Sequence, residues 1–295
     1  MKKILQIGTK GQLGWELLRT CAPLGEIVAL DYPAVDLSDS TGLRELVRTV
    51  KPDIIINAAA YTNVDKAESE PELARAINAI GPGVLAEEAK KLNAVLVHYS
   101  TDYVFDGTKG SPYVEIDKPN PLNVYGHTKL EGEQAIAKTE CINIIFRTSW
   151  MYSYRSKTGF VAKVLEWARE RKVLRVVDDQ IGSPTSARLL AELTSICLAK
   201  AFEHPWEWLI EKQGIYHCAG AGACSRYAWA KEILRLDPNA SEQIVRDLIP
   251  ARSKDFNLPA LRPAISSLDI TKIQNSFDLT LPGWLESLRL TMEVV

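Results

Sequence analysis

Residues 3–25 read "KILQIGTKGQLGWELLRTCAPLG". "KILQIG" (3–8) has the apolar run and glycine stop of a short strand. "QLGWELLRTCAPLG" (12–25) continues as a helix, with Leu13, Leu17 and Leu18 on one face and Gly25 to end it. Gly8, Gly11 and Gly14 lie at the junction. A nucleotide pyrophosphate needs backbone amides close by and a helix N-terminus aimed at it, and glycine leaves room for both. Three glycines alone say little. Their place after the first strand and before a helix is what points to a nucleotide. The alternative is a plain strand-to-helix turn with one glycine for packing.

The same alternation extends outward. "EIVAL" (26–30) predicts a second strand ending at Asp31, and "STGLRELVRTVKP" (40–52) a helix with a serine start and a proline stop. "DIIINAAA" (53–60) predicts a strand buried on both faces. "PELARAINAIGPGVLAEEAKKLN" (71–93) predicts a helix disturbed at Gly81-Pro82-Gly83. "AVLVHYST" (94–101) and "INIIFRTSW" (142–150) predict strands, with "TKLEGEQAIAKT" (128–139) helical between them. Regular alternation implies a parallel sheet covered on both sides. The expected fold class is therefore α/β, a Rossmann-type doubly wound parallel sheet with a smaller C-terminal α/β domain.

Beyond Trp150 the rhythm is less regular. "GFVAKVLEWARERKV" reads as helix, "LRVVDDQIGSPTSARLLAELTSICLAKA" as strand, loop and helix, and "HPWEWLIEKQG" as a tryptophan-containing segment. "IYHCAG" reads as strand, and "SRYAWAKEILRL" and "GWLESLRLTMEVV" as helices. Residues 1–150 are the expected nucleotide-binding domain and 151–295 mainly a substrate domain, with a segment around 174–200 returning to the first.

Of the 295 residues, 46% are apolar and 24% charged, an ordinary globular composition. Lys plus Arg number 35 and Asp plus Glu 37, so no basic excess suits a nucleic acid or an anionic membrane. The apolar run after the two N-terminal lysines breaks at Gly8, too short for a signal core, and nothing approaches a membrane span. The five cysteines are scattered without a C-x-x-C, and the four histidines are dispersed, so no metal site is expected. Reduced thiols in a cytoplasmic protein are the expectation.

Four further features carry chemistry. Asp31, at a strand end, suits the ribose hydroxyls of adenosine and disfavours a 2′-phosphate, while Lys10 offsets that charge, so NADH and NADPH both stay open. Small residues in "NAAA" (57–60) let a cofactor lie across the strand ends, lined by Ala60, Tyr61 and Thr62. Tight sheet packing is the alternative, although a buried Asn57 amide needs partners. "HYSTDYVFDG" (98–107) ends a strand at Ser100-Thr101, with hydroxyls facing the crevice outside the strand ends. "YGHTK" (125–129) places Tyr125 and Lys129 four residues apart on one helical face. A catalytic phenol needs its pKa of about 10 lowered, and a nearby cation does that. Gly126 and His127 have no evident role, and His127 is expected to face solvent.

The glycine spacing resembles the extended, nucleotide-sugar-modifying branch of the short-chain dehydrogenase/reductases. "GTKGQLGWEL", "NAAAYTNVDKAESEPELARAIN", "HYSTDYVFDGT", "PLNVYGHTKLEGE", "FRTSWMY", "DDQIGSPT" and "LRPAISSLD" closely resemble the dTDP-4-dehydrorhamnose reductases. The likeness runs from the first strand to the last helix and weakens around 200–213 and 222–258.

The resemblance implies NADPH- or NADH-dependent reduction of the C4 keto group of a dTDP-linked 4-keto-6-deoxyhexose. It implies Thr101, Tyr125 and Lys129 as the catalytic triad. Gly11, Gln12, Leu13, Asp31, Asp36, Leu37, Ala60, Tyr61, Thr62, Tyr125 and Lys129 would contact the cofactor, beside Gly8 and Gly14 of the loop. Asp36 serves equally well as a turn or capping residue. Thr101, Asp102, Tyr103 and Trp150 would contact the sugar nucleotide. Arg262 suits its diphosphate or a structural ion pair.

Related sugar-nucleotide 4,6-dehydratases carry Asp-Glu after the threonine. Here Asp102-Tyr103 follows Thr101, which favours simple reduction. Some relatives pair through magnesium held by acidic side chains. Glu16 fits one such position, but Arg188 stands where those relatives carry an acid, and a cation there would repel Mg2+. A monomer or homodimer is expected. Another nucleotide-sugar reductase or epimerase of the branch is the alternative, or a non-catalytic regulatory subunit resembling the β subunit of methionine adenosyltransferase.

Overall fold

The computed structural model describes residues 1–204 and 206–293. Pro205 of the tryptophan-containing segment, and Val294 and Val295 of the last helical stretch, lie outside the described residues. The first half runs β1 (Lys2–Ile7), α1 (Gln12–Thr20), β2 (Gly25–Leu30), α2 (Ser40–Val50) and β3 (Ile54–Asn57). It continues with α3 (Val64–Ala67), α4 (Pro71–Arg75), a π-helical turn at Ala76–Ile80, α5 (Gly81–Leu92) and β4 (Val95–Thr101). α6 (Val124–Thr139) and β5 (Asn143–Thr148) complete it.

The second half begins with β6 (Met151–Tyr152), α7 (Phe160–Glu170), β7 (Val173–Val177), β8 (Ile181–Gly182) and β9 (Thr185–Ser186). α8 (Ala187–Glu203), α9 (Trp206–Lys212), β10 (Gly214–His217), β11 (Cys224–Ser225) and α10 (Arg226–Arg235) follow. β12 (Asp247–Ala251), α11 (Thr271–Phe277) and α12 (Trp284–Met292) come last.

Six parallel strands form the central sheet in the order β10-β5-β4-β3-β1-β2. Successive strand residues point to opposite faces. Ile4, Ile54, Ile56, Val95, Val97 and Phe146 enter one core with Leu17 of α1, Leu190 of α8 and Phe277 of α11. Leu5, Ile55, Leu96 and Ile145 enter the other with Val47 of α2, Leu85 of α5 and Ile136 of α6. Truncating one of these aliphatic side chains to alanine costs about 2–5 kcal/mol. Strand order reverses between β1 and β3, and α/β sheets bind ligands outside the strand ends at such a point. A third core of Tyr152, Val161, Val164, Val176, Trp229, Ile233 and Leu288 packs α7, α10 and α12 around short strand pairs.

Several elements differ from the sequence expectations. α1 stops at Thr20, and Gly25 opens β2 instead of closing the helix. α2 is capped by Asp39, whose Oδ1 accepts from the Thr41 and Gly42 amides, so Ser40 is already helical. β3 ends at Asn57, and Ala58–Ala60 leave the sheet. The disturbance in the 71–93 helix precedes Gly81-Pro82-Gly83: the ladder widens to a π turn at Ala76–Ile80. A proline in a helix clashes with the preceding turn, and the wider turn relieves that clash. α6 begins at Val124, four residues early, because the Asn123 side chain accepts from the Gly126 amide as its cap. "IYHCAG" forms β10, the sixth strand of the central sheet.

Candidate active site

The glycine loop leaves β1 through Gly8, whose φ of +88° favours glycine. A β-carbon there would lie 2.6 Å from the Ala59 amide, so the loop presses against the chain leaving β3. Gly11 is the N-cap of α1 and offers no side-chain cap. The buried side-chain oxygen of Gln12 has no protein partner. An uncapped helix N-terminus beside an unpartnered buried amide fits a dinucleotide pyrophosphate and its ribose. Leu13 lies in the core, so only its backbone faces the crevice.

The Asp31 carboxylate accepts from the Lys10 amide at 2.7 Å, and the Lys10 ammonium donates to the Tyr32 carbonyl at 3.1 Å. Both residues line one shallow cleft with Thr9 and Pro33. Asp36 takes the turn role: its Oδ1 accepts from the Ser38 amide and hydroxyl. Leu37 is buried against α5 in the second core. Thr62 is exposed and Ala60 half-buried. Tyr61 donates its phenol to Glu70 at 2.6 Å. Asn78, on the π turn, holds the Tyr61 backbone from both sides, accepting from its amide and donating to its carbonyl. Asn78 also donates to the Thr128 hydroxyl at 3.1 Å, tying this loop to α6.

α6 carries Tyr125 and Lys129 against the end of β4. Its close approach requires Gly126, where a β-carbon would stand 2.2 Å from the Tyr103 carbonyl oxygen. His127 points to solvent. Tyr125 is half-buried, with its ring 6.0 Å from that of Tyr103 in an edge-on arrangement. Burial raises its phenol pKa, and a hydrogen bond with Thr101 acts against that rise. The lowering of the phenol by Lys129, expected from the sequence, is therefore not present here. The Lys129 amine instead meets the His98 Nε2 at 3.3 Å. Burial pulls Lys129 down to about 8, and Glu133 one turn on opposes this. The Thr101 hydroxyl donates to Asp102 and accepts from the Tyr103 amide, both at 3.1 Å.

The residues expected on the substrate side come together from both halves of the chain. Asp102 is buried and accepts from the hydroxyls of Thr101, Ser149 and Ser266. Burial raises it to about 6, against those three hydrogen bonds. Trp150 adopts a φ of +45° and stacks on Trp229, with centroids 5.7 Å apart. The Arg226 guanidinium lies 3.7 Å over the Trp150 ring and also bonds Tyr103. No carboxylate reaches Arg226 within ion-pair distance among the described residues. Arg262 takes the ion-pair role: its Nη2 meets Asp65 at 2.7 Å and its Nη1 donates to the Ala260 carbonyl. The neighbouring Leu261 carbonyl accepts from Asn123, so this loop anchors the start of α6. Arg188 lies 3.5 Å from Glu16, at the position considered for a metal. Among the described residues, no cluster of His, Cys, Asp and Glu could hold a metal ion.

A family model described as the RmlD substrate binding domain matches residues 1–295. The chain is 42% identical over 286 residues to a dTDP-4-dehydrorhamnose reductase of Salmonella typhimurium, covering 95% of this chain and 94% of that one. The chain belongs to the dTDP-4-dehydrorhamnose reductase family. The crystal structure of a family member from Clostridium acetobutylicum superposes with a TM-score of 0.89 at 34% identity, covering 99% of each chain. A Bacillus anthracis dTDP-4-dehydrorhamnose reductase, solved in complex with NADP, gives a TM-score of 0.88 at 32% identity. It covers 100% of this chain and 99% of that one.

Three residues of this dTDP-4-dehydrorhamnose reductase family member escaped the sequence reading. His98 alternates with apolar neighbours and looks like any strand residue. Asn78 owes its place to the π turn, whose only trace is the nearby Gly-Pro-Gly. Arg226 lies 123 residues from Tyr103 in sequence, and only the fold joins them.

Proposed function

We propose that the chain reduces the C4 keto group of dTDP-4-dehydro-L-rhamnose to dTDP-L-rhamnose with NADPH or NADH. The observation that carries this is Tyr125 and Lys129 on one helix, beside Thr101 at the end of β4, in a chain that the family model matches over residues 1–295. Bound NAD(P)H supplies the hydride for sugar C4. Gly8, Gly11, Gln12 and Gly14 would hold its pyrophosphate, with Asp31 toward the adenosine.

Tyr125 keeps its phenol protonated and gives that proton to the C4 oxygen. Thr101 hydrogen-bonds the same oxygen, and Lys129 would hold the nicotinamide ribose. Proton donation of this kind contributes about 10²–10⁴-fold, and orientation supplies much of the rest. Asp102, Tyr103 and Trp150 face the sugar nucleotide, and the unpaired Arg226 offers charge to its diphosphate.

In this proposal residues 1–150, joined by α8 and β10, form the cofactor-binding part, and the remaining C-terminal elements close over the substrate. No helix among the described residues is long and apolar enough to cross a membrane. A cytoplasmic monomer or homodimer fits this chemistry, and size-exclusion chromatography with light scattering reads the assembly. The deciding experiment is NADH and NADPH oxidation with dTDP-4-keto-L-rhamnose, the product identified by NMR. No oxidation, together with co-purification of a synthetase, would move the assignment to a regulatory subunit.

A further inference from the structure

Three polar side chains form an unbroken buried chain beneath the reaction site. Asn57 on β3 is 1% exposed, His98 on β4 0% and Lys129 on α6 1%. The Asn57 Nδ2 meets the His98 Nδ1 at 3.2 Å, and the His98 Nε2 meets the Lys129 Nζ at 3.3 Å. β3 and β4 pair in register at Asn57 and His98, which is what sets the two side by side.

The direction of these bonds follows from one fixed donor. The Ala59 amide donates to the Asn57 Oδ1 at 3.2 Å. A backbone N–H can only donate, so the Asn57 NH₂ group must face His98. The His98 Nδ1 is then an acceptor. Burial and the nearby Lys129 keep this imidazole neutral, so its one proton sits on Nε2, facing the Lys129 nitrogen. Every atom is satisfied when Lys129 is an amine. An ammonium brings two donors together unless the His98 proton moves to Nδ1 and the Asn57 amide turns away from Ala59. The charged and titratable groups facing Lys129 are Glu133 on its own helix and His98 on β4.

We propose that His98 is a positioning residue for Lys129: held by Asn57, it fixes the amine one turn along α6 from Tyr125 and couples its charge to the imidazole tautomer. The inference rests on the reductase reading above.

Two measurements test it. In cofactor-free protein, ¹⁵N NMR of the four histidines reports the tautomers directly. His98 is expected as the neutral Nε2–H form at high pH, moving to Nδ1–H as pH falls through about 8. A single unchanged tautomer from about pH 6.5 to about 9.5 overturns the coupling. The second is a pair of polar variants. In His98→Gln the amide reaches the place of Nε2 and touches Lys129; in His98→Asn it reaches only the place of Nδ1 and touches Asn57.

With the keto sugar and NADPH, His98→Gln should keep kcat within about threefold, and His98→Asn should lose about tenfold or more. The basic limb of the pH profile should rise in the Gln variant and fall by about one unit in the Asn variant. Equal kcat and equal pH profiles in the two variants, with an active wild type, overturn the role of His98 and leave the reductase reading standing. An inactive wild type overturns both.

Discussion

α6 buries two ionisable side chains one turn apart, and the protein treats them differently. Glu133 receives two hydrogen bonds from the Arg147 guanidinium, at 2.9 and 2.6 Å, and both side chains are 2% exposed. Lys129 is buried as deeply but meets only a neutral imidazole, at 3.3 Å. Removing charge from water is expensive, and the full bidentate partnership offsets that expense for Glu133. Nothing comparable offsets it for Lys129, whose amine titrates lower as a result. The compensated pair joins α6 to β5 and serves the fold. The uncompensated lysine costs stability, and only the proposed reaction gives it a use.

The sharpest way to break this contrast is at the Tyr125 phenol. Tyr125→Phe should lower kcat by about 10²–10⁴-fold while NADPH affinity, measured by fluorescence titration, stays nearly unchanged. Near-wild-type turnover would remove Tyr125 from its role. Glu133→Gln should destabilise the protein by about 3–5 kcal/mol in urea unfolding, because Arg147 is left buried and uncompensated.

Lys129→Met should do the opposite. The lysine is held below its usual 10.5, so the unfolded chain binds more protons between about 8 and 10.5 and native stability rises with pH across that window. At neutral pH its removal should therefore raise stability by about 1–3 kcal/mol while abolishing most turnover. A loss of stability in that variant would undo the contrast with Glu133.

Asp102→Asn probes a buried carboxylate of the candidate site. Asp102 is raised from 3.8 to about 6, so the native state binds the extra proton between those values and its contribution to stability declines as pH rises through them. The difference in unfolding free energy between wild type and variant should grow in favour of the variant from about pH 4 to about pH 6, then level off. The smallest effect is expected at Arg226→Gln. It should raise KM for the nucleotide sugar about tenfold and leave the NADPH KM alone, since a hydrogen bond to a charged group is worth about 1.5–3 kcal/mol. Unchanged KM would confine Arg226 to packing on Trp150.

The sheet and its helices were legible because each of these elements writes its own period. "DIIIN" could only be a strand buried on both faces, and the glycine loop could only follow the first strand. Tyr125, Lys129 and Thr101 were legible because their types and spacing are specific in combination. What failed was local and physical. The start of α6 was missed because Asn123 caps it, and an asparagine closing the stretch "PNPLN" (119–123) reads equally well as loop. The expectation of a lowered phenol took Lys129 to act on Tyr125, whereas burial raises the phenol and the Lys129 nitrogen meets His98. Arg262 offered two roles from sequence, and Asp65, nearly two hundred residues away, takes it into an ion pair.

The sequence by itself determined the doubly wound sheet, the glycine loop at its first turn and the side chains that make up the candidate site, since these depend on residue type and spacing along the chain. Only the tertiary structure decided what each buried polar atom faces: Asn57 and His98 in register across β3 and β4, Asn78 on the π turn, Arg226 against Trp150. Those pairings come from sheet register and helix packing between segments far apart in sequence. They set the charges at the site, because a buried group's protonation depends on its neighbours and its access to water more than on its own chemistry.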